Sequence, residues 1–185
     1  VRRIEFDPRS GLDTLALQRI SRASADQRRG RAGRVAPGVC YRLWSEGAHR
    51  SLAPSTAPQI VSVDLASMAL ELAAWGIADA GRLRWLDPPP AAALDGARRL
   101  LQRLGALLPD GRISAHGREL LRLPLHPRLG HMLLAAQRRG SLALAANLAA
   151  IISERDPLRA TPGQRSADVM LRLDALRGPP PAATA

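Results

Sequence analysis

The sequence predicts a mixed, mostly α fold, in which the tail of an α/β domain is followed by a winged helix and a small helical bundle. Three observations support this expectation. Strand-like segments are confined to residues 1–45 and to one hairpin at residues 106–114. Elsewhere, apolar residues recur at the spacing of amphipathic helices. A glycine follows most of these apolar stripes, at the position where helices commonly end.

Residues 1–45 are predicted to run strand, strand, helix, strand. Two strands joined by an Asp-Pro-x-x-Gly turn are expected in RRIEFDPRSGLDTLAL. A helix should begin at Ser24, because Ser24 and Gln27 have the spacing of a capping box. After VAPG breaks that helix, GVCYRLWS has the apolar alternation of a strand. Cys40 lies in this strand, and we expect it to be a buried small hydrophobic residue.

A linker is predicted in LAPSTAPQ, residues 52–59, and a winged helix at residues 60–126. Two apolar stripes at helical spacing open the winged helix. The first stripe, which ends at Gly76, consists of Leu65, Met68, Ala69, Leu72 and Trp75. The second stripe, which ends at Gly105, consists of Leu94, Ala97, Leu101 and Leu104. A tight hairpin around Pro-Asp-Gly follows, and Ser114 can then cap a short helix through about Leu123.

Residues 127–178 are predicted to form a small helical bundle, followed by a flexible tail at residues 179–185. The first two helices lie in HPRLGHMLLAAQRRG and SLALAANLAAIIS and are separated by Gly140. A last helix is expected in SADVMLRLDALR. Three histidines in the winged helix and the bundle do not have the spacing of a metal site, so we expect them at the surface or at an interface. They are His116, His126 and His131.

Composition indicates a globular, strongly basic protein. Hydrophobic residues make up 46% of the chain and charged residues 23%. The formal net charge of +11 suits a polyanionic partner such as nucleic acid. The chain contains no lysine, however, and is rich in Ala, Arg, Gly and Pro. Part of its basicity therefore has a second explanation, which is coding from GC-rich DNA.

The cysteine and hydropathy patterns exclude several classes of protein. Cys40 is the single cysteine, so neither a disulfide framework nor a zinc site is expected, and a reducing cytoplasm suits the chain. The longest apolar run, LALAANLAAII, is too short to cross a bilayer, so no membrane association is expected. Because the chain opens with VRRIEFDP, inside a predicted strand, we expect it to be a piece of a longer protein.

The segment DQRRGRAGR, residues 26–34, is the strongest candidate for a functional site. On a helix, Gln27, Arg31 and Arg34 would be spaced i, i+4 and i+7 and would share one face. Gly30 and Gly33 would leave room for a ligand or another surface. Guanidinium groups offer a fixed fork of donors to phosphate, and a finger arginine neutralises charge during phosphoryl transfer. A disordered RNA-binding tail and a solvated helix face remain as alternatives.

The string QRRGRAGR resembles motif VI of the superfamily-2 helicases, Q-R-x-G-R-x-G-R, at every fixed position. Its flanks, ISRASAD and P-G-x-C-Y-R-L, are similar to those of the DEAH-box branch. The segment ISAHGRELLRLPLHPRLGHMLL resembles the helicase-associated domain of that branch, with Ser114 where threonine is usual. FDPRSGLDTLALQRIS and ISERDPL look like the bacterial HrpB subgroup of ATP-dependent helicases.

This resemblance implies a domain order and a set of site residues. Residues 1–55 would be the end of the second RecA-like domain. Residues 60–126 would be a separate winged-helix domain, and residues 127–178 would be a ratchet-like helical bundle. Gln27, Arg31 and Arg34 would be catalytic and would contact the nucleotide, with Arg34 as the finger. ATP with Mg²⁺ would be the cofactor, held mainly by the phosphate loop and D-E-x-H of a preceding RecA-like domain. The chain alone is therefore expected to be inactive.

By the same resemblance, the partners would be single-stranded nucleic acid, RNA or DNA, and the N-terminal RecA-like domain of the same protein. Hydrolysis of ATP would be coupled to movement along the strand. Arg138 and Arg139 either form a cationic helix end or touch a phosphate backbone. The alternative function is a basic winged-helix module that binds nucleic acid and has no catalytic role.

Overall fold

A computed structural model describes residues 1–7, 10–154, 156–158 and 166–177. Within these ranges the regular structure consists of eight α-helices, two short 3₁₀ turns and one two-stranded antiparallel sheet. The expectation of a mixed, mostly α fold is confirmed. Among the same residues, no helix combines the length and the apolar character that crossing a bilayer requires.

The two strands form a hairpin that is hydrogen-bonded to the segment at residues 57–62. Strand β1 is Arg2–Asp7 and strand β2 is Leu12–Leu17, paired antiparallel as expected. The turn between them lies partly outside the described residues. The backbone N–H of Phe6 donates to the carbonyl of Ser62 at 2.8 Å, and the Arg3 guanidinium donates to the carbonyl of Ala57 at 3.2 Å. These bonds fix the hairpin against the segment that leads into the rest of the fold.

Helix α1, Arg22–Ala32, begins two residues earlier than the sequence predicted. Its N-cap is Ser21, whose hydroxyl oxygen accepts a hydrogen bond from the backbone N–H of Ser24 at 3.1 Å. The prediction that Ser24 caps the helix is therefore wrong, because Ser24 is already inside the first turn and is the donor of the capping bond. Gln27 consequently has no capping role.

The strand expected in GVCYRLWS is absent from the described structure, where residues 38–45 have no ladder partner. A strand needs the N–H and C=O groups of a neighbour, and the hairpin strands pair only with each other. Cys40 is exposed, which contradicts its expected burial. Val39, Tyr41 and Leu43, the apolar residues of the predicted strand, are 74%, 83% and 94% exposed. Helix α2, Glu46–Arg50, follows directly.

The main apolar core lies between Leu65 and Leu120. Its helices are α3 (Ala66–Ala74), α4 (Ala91–Arg103) and α5 (Ala115–Leu121), with 3₁₀ turns at Gln59–Val61 and Ala80–Arg82. Helix α3 packs on both α4 and α5. The predicted hairpin is present as a bridge between Leu107 and Ile113, and Ser114 caps α5 as expected. The most deeply buried residues of the core are Ala66, Leu70, Leu101 and Ala106.

Trp75 does not belong to this core, although the sequence placed it in the first apolar stripe. It is the C-cap of α3 and its side chain is 70% exposed. Gly76, at φ +75°, turns the chain so that the N–H of Ile77 bonds to the carbonyl of Leu72 at 2.9 Å. In this Schellman arrangement the residue after the glycine folds back on the helix. Ile77 therefore packs against the core in the place predicted for Trp75.

The remaining helices pack in series, α6 (Pro127–Arg138) on α7 (Leu142–Ser153) and α7 on α8 (Val169–Arg177). All three were expected, as was the break at Gly140. Buried alanines of α7 and the buried Leu173 of α8 allow this close packing. Most of the expected breaker RDPLRATPG and the expected flexible tail lie outside the described residues.

Histidines join the two helical parts, consistent with the interface role expected for them. His116 Nε2 lies 2.9 Å from His131 Nδ1, which connects α5 to α6. His126 Nε2 lies 3.2 Å from the Asp64 carboxylate, whose other oxygen accepts the N–H of Ala66 at 2.6 Å. Burial raises the pKa of Asp64, but the nearby His126 ring, the hydrogen bond from Ala66 and the positive charge of Arg128 outweigh it and leave that pKa lowered.

Truncation of Leu101 should test the assignment of Leu101 to the core and of Trp75 to the surface. Leu101 is fully buried, so Leu101→Ala should lower the free energy of unfolding by roughly 2–5 kcal/mol through lost burial and a residual cavity. The matched control is Trp75→Ala, at an exposed position, which should cost no more than about 1 kcal/mol. Denaturant unfolding followed by circular dichroism measures both values. Equal losses in the two variants would contradict the assignment.

Candidate functional site

Helix α1, which carries the arginine–glycine cluster, is held at its N-terminus by main-chain bonds. The first N–H groups of a helix have no partner within it. Here the N–H of Arg22 donates to the carbonyl of Ala53 at 2.9 Å, and that of Ala23 donates to the carbonyl of Pro54 at 3.0 Å. The segment predicted as a linker therefore serves as an acceptor surface for the start of α1.

Side chains reinforce the same contact. The hydroxyl groups of Ser21 and Thr56 are 2.9 Å apart, and Ser21 is buried although it is polar. Ala25, on the first turn of α1, and Leu52 are buried as well. A small residue at position 25 lets the passing chain approach the helix closely. The first turn of α1 is thus fixed, and the residues of the helix from Asp26 onward are exposed.

A polar network fixes α1 a second time, near its middle. The Asp26 carboxylate accepts a hydrogen bond from the Arg42 guanidinium at 2.5 Å, and Arg42 Nη1 lies 3.1 Å from His49 Nε2. The Trp44 ring stacks on His49 with centroids 6.4 Å apart. The hydrogen bond and charge of Arg42, with the charges of Arg29 and His49, hold the pKa of Asp26 below its ordinary value. This network ties the exposed segment before α2 to the helix.

The three predicted site residues lie between the middle of α1 and the turn that follows it. Gln27 and Arg31 are one turn apart on α1 and are exposed. Arg34 is exposed too, but it lies two residues after the end of α1 at Ala32. The expectation of one helical face spaced i, i+4 and i+7 therefore holds only for the first two residues. None of the three side chains has a hydrogen bond or ion pair with another described residue.

Gly38 determines the path of the chain around Arg34. A Cβ atom at position 38 would collide with the carbonyl group of Ala32, so the chain can fold back on the end of α1 only with glycine here. This turn corresponds to the break predicted in VAPG. At Gly30, by contrast, an added Cβ atom would meet nothing within 4 Å. The surface beside Gly30 and Arg31 is therefore open to a ligand or another domain.

The arrangement suits an anion better than a metal ion. Three arginines of the cluster have no carboxylate partner among the described residues: Arg28, Arg31 and Arg34. Arg29 forms a long ion pair with Asp26, with 4.0 Å between the nearest nitrogen and oxygen. Asp26 is itself engaged by Arg42, and no group of three or more potential ligands for a metal ion occurs in the described ranges. Unpaired guanidinium groups on a fixed backbone can bind phosphate oxygens through charge-assisted hydrogen bonds.

Sequence reasoning missed the residues that hold this site. Nothing in their types shows that the carbonyls of Ala53 and Pro54 would meet α1, because every residue has a carbonyl. The Asp26–Arg42 pair was only weakly indicated by the sequence. Asp26 opens the arginine cluster, and Arg42 lies in the segment that follows the cluster. Their separation of 16 positions along the chain gives no reason to pair them.

The chain is similar in sequence to three helicases. It is 44% identical over 149 residues to the ATP-dependent RNA helicase HrpB of Escherichia coli (strain K12), covering 80% of this chain and 18% of that protein. It is 38% identical over 157 residues to the ATP-dependent RNA helicase HrpA of the same strain, covering 82% and 12%. It is also 38% identical over 149 residues to the pre-mRNA-splicing factor ATP-dependent RNA helicase prp22 of Schizosaccharomyces pombe (strain 972 / ATCC 24843), covering 80% and 13%.

Solved structures show the same similarity in three dimensions. The crystal structure of the E. coli DExH-box NTPase HrpB matches with a TM-score of 0.73 at 43% identity, covering 86% of this chain and 19% of that one. The crystal structure of the Escherichia coli DEAH/RHA helicase HrpB matches with a TM-score of 0.76 at 43% identity, covering 86% and 20%. The chain thus spans between 12% and 20% of the lengths of these relatives. No family model matches it.

Substitution of Gly38 should disturb the turn that carries Arg34. Gly38→Ala should lower the free energy of unfolding by about 1–3 kcal/mol, because the new methyl group must displace the Ala32 carbonyl. The control Gly30→Ala places a methyl group in open space within a helix and should raise stability by about 0.5–1 kcal/mol. Chemical denaturation compares the two. Stabilisation by both substitutions would show that the turn does not press on α1.

Proposed function

Because this chain belongs to the DEAH/RHA helicases, with 43% to 44% identity to HrpB over 80% to 86% of its length, we propose that it is part of an HrpB-like ATP-dependent RNA helicase. We infer that its role is to supply the arginine side of the ATP site. The observation that carries this proposal is the pair of exposed guanidinium groups of Arg31 and Arg34, which have no partner among the described residues and lie at the free end of a helix whose first turn is anchored.

Each of the three residues has a separate proposed role. Arg34 acts as the finger, since its guanidinium group can follow the charge that develops on the transferred phosphoryl group. Arg31 holds phosphate oxygens in the ground state. Gln27 orients the attacking water, for which its amide has both a donor and an acceptor. ATP, when bound with Mg²⁺, supplies the phosphoryl group and the metal charge that accompanies it.

The described residues do not fit the Mg²⁺ ion. The nearest carboxylate to the arginine cluster, Asp26, is bonded to Arg42, and no other potential metal ligands gather near it. We therefore place the metal and the phosphate loop on a preceding RecA-like domain, with the site divided between two domains. The phosphate contacts made by this chain do not depend on a metal held by its own residues.

The domain order proposed from the sequence is retained in this function. Residues 1–55 would be the end of the second RecA-like domain, and the exposed apolar row of Val39, Tyr41 and Leu43 supports a place for that segment in a larger sheet. Residues 60–126 would be a winged helix, supported by α3, α4, the Leu107–Ile113 bridge and α5. Residues 127–178 would be the ratchet-like bundle that lines the nucleic-acid channel.

A second function is a basic winged-helix module without catalysis. It is favoured by one observation, which is that the main apolar core lies entirely between Leu65 and Leu120, outside the arginine cluster. The two functions differ in what the arginines of α1 do. Turnover by a protein that contains both RecA-like domains separates them.

Arg34 should matter for turnover much more than for nucleotide binding. In a protein that contains this chain and the preceding RecA-like domain, Arg34→Ala should reduce ATP turnover on the order of 10³-fold. Arg34→Lys should also be poor, because an ammonium group cannot form the guanidinium fork. Steady-state phosphate release measures turnover, and fluorescent-nucleotide titration measures binding.

Two controls accompany this experiment. Arg29→Ala removes an arginine of the same helix that lies outside the proposed set, and it should leave turnover close to that of the parent. The isolated 185-residue chain should show no turnover above a contaminant control, because it has only the arginine side of the site. Undiminished turnover in Arg34→Ala would mean that this part of the cluster is a solvated surface.

The isolated chain should bind single-stranded nucleic acid weakly and with little sequence preference. Its net charge of +11 attracts phosphates, and each neutralised phosphate releases a counterion, so affinity should fall steeply as salt rises. Arg138 and Arg139, at the end of α6, would supply part of the contact. Titration of labelled RNA and DNA oligonucleotides at low and high salt measures this. Tight binding with sharp sequence discrimination would favour the non-catalytic module instead.

A further inference from the structure

A groove of about 770 Å³ opens between the β-hairpin and helix α4. Phe6 of β1 lines it on the hairpin side, residues 61–65 line it before α3, and α4 contributes Ala93 and Leu100 among others. Its volume lies in the range of sites that bind ligands or peptide segments. None of the proposed ATP-contacting residues lines it, so it is separate from the site on α1.

Three arginines stand around this groove. Arg99 and Arg103 are one turn apart on α4, and Arg128 comes from the first turn of α6. All three are exposed, and none forms an ion pair with another described residue. The guanidinium group of Arg128 lies against the hairpin turn, where a Cβ atom on Gly11 would come within 2.6 Å of its Nη2. The groove therefore has three arginines on its rim and one carboxylate, that of Asp64, in its lining.

The carboxylate of Asp64 offsets only part of this positive charge, through its interaction with Arg128. Its two oxygens face the N–H of Ala66 at 2.6 Å and the ring of His126 at 3.2 Å, and its side chain is mostly buried. Hydrogen bonds and positive charge already keep the pKa of Asp64 low, so it remains an anion bonded to its own neighbours. The charge offered to an incoming ligand comes from the three arginines.

The lining is better suited to polypeptide side chains than to nucleotide bases. It is mainly aliphatic, and Phe6 is the one aromatic side chain among the lining residues. Binding of single-stranded nucleic acid relies on aromatic surfaces for stacking and on polar groups that reach base edges, and the groove has few of either. Aliphatic walls with a cationic rim instead match a segment that combines apolar anchors with carboxylates.

We propose that this groove binds an acidic polypeptide segment, whose apolar side chains enter between the hairpin and α4 and whose carboxylates pair with Arg99, Arg103 and Arg128. The partner is thus a protein, or a protein region, with glutamate or aspartate flanking apolar residues. The function proposed for α1 does not require this contact, and the contact does not require that function.

Two variants remove different parts of the proposed site. The double substitution Arg99→Glu with Arg103→Glu reverses the charge of the rim. The substitution Gly96→Leu fills the groove from α4, and it should be tolerated because a Cβ atom at Gly96 would meet only the end of the Arg99 side chain, at 3.9 Å. Leucine also favours a helix more than glycine does. Far-UV circular dichroism and thermal melting establish that each variant is folded.

The matched control reverses two other arginines with the same spacing. Arg118 and Arg122, on α5 and at its C-cap, are exposed and have no side-chain partner among the described residues. The double substitution Arg118→Glu with Arg122→Glu therefore makes the same change in net charge outside the groove. Loss of binding in both double variants would indicate attraction by overall charge alone and would overturn the proposal.

The experiment is a fluorescence-anisotropy titration of the 185-residue chain with a labelled helical peptide that has leucines at i, i+4 spacing and glutamates elsewhere. A second peptide has glutamine in place of every glutamate. The acidic peptide should bind, and the Arg99/Arg103 double variant and Gly96→Leu should each weaken binding by about tenfold or more. The control double variant should keep the affinity of the parent, and the glutamine peptide should bind weakly.

Three further results would overturn the proposal. Absence of binding by the acidic peptide would do so, and so would equal binding of the glutamine peptide. The third is direct binding of a single-stranded oligonucleotide that is lost in Gly96→Leu and displaces the peptide from the parent, which would assign the groove to nucleic acid. ATP turnover of the longer protein, measured in parallel, reports on the function of α1 and leaves these outcomes unaffected.

Discussion

The position of helix α1 depends on the backbone bonds that its first turn makes with Ala53 and Pro54. These bonds close residues 21–56 into one loop and satisfy donors that would otherwise need water. The hairpin bonds to Ala57 and Ser62 fix the next residues of the same stretch. Hairpin, arginine helix and the entry to α3 are therefore joined through residues 53–62. A change in the tilt of α1 would be carried into the helical core through this stretch.

The distribution of charge follows from which carboxylates are already engaged. Asp26 is bonded to Arg42 and so connects α1 to the segment before α2. Asp64 lies between Ala66 and His126 and so connects the start of α3 to the start of α6. With far more basic than acidic residues in the chain, many guanidinium groups remain unpaired and in solvent. Exposed guanidinium groups stay charged in water and can bind phosphate or carboxylate groups. Asp26 and Asp64 thus serve the structure, while Arg31 and Arg34 have no carboxylate partner among the described residues.

Local patterns predicted the elements whose ends are determined locally. Gly76 and Ser114 fix the end of α3 and the start of α5 through bonds within one turn, so residue type was sufficient. The segment around Cys40 depends on distant neighbours, and there the prediction was wrong. Trp75 was wrongly placed in the core because the turn at Gly76 brings Ile77 back onto the core in its place. The N-cap of α1 was predicted three residues too late, at Ser24, because Ser21 has an equivalent hydroxyl group. The helix that carries Gln27 and Arg31 was predicted, whereas the Asp26–Arg42 pair that holds it was not.

The exposed row of Val39, Tyr41 and Leu43 has a consequence for how the chain behaves at high concentration. Exposed apolar side chains in a segment with no ladder partner in the described structure can associate with the same segment of another molecule. Mutual repulsion between molecules of charge +11 opposes that association at low ionic strength. Salt shortens the range of this repulsion to about 10 Å at 0.1 M, while it leaves the apolar attraction in place. Colloidal stability of the chain is therefore greatest in dilute buffer and declines as electrolyte is added.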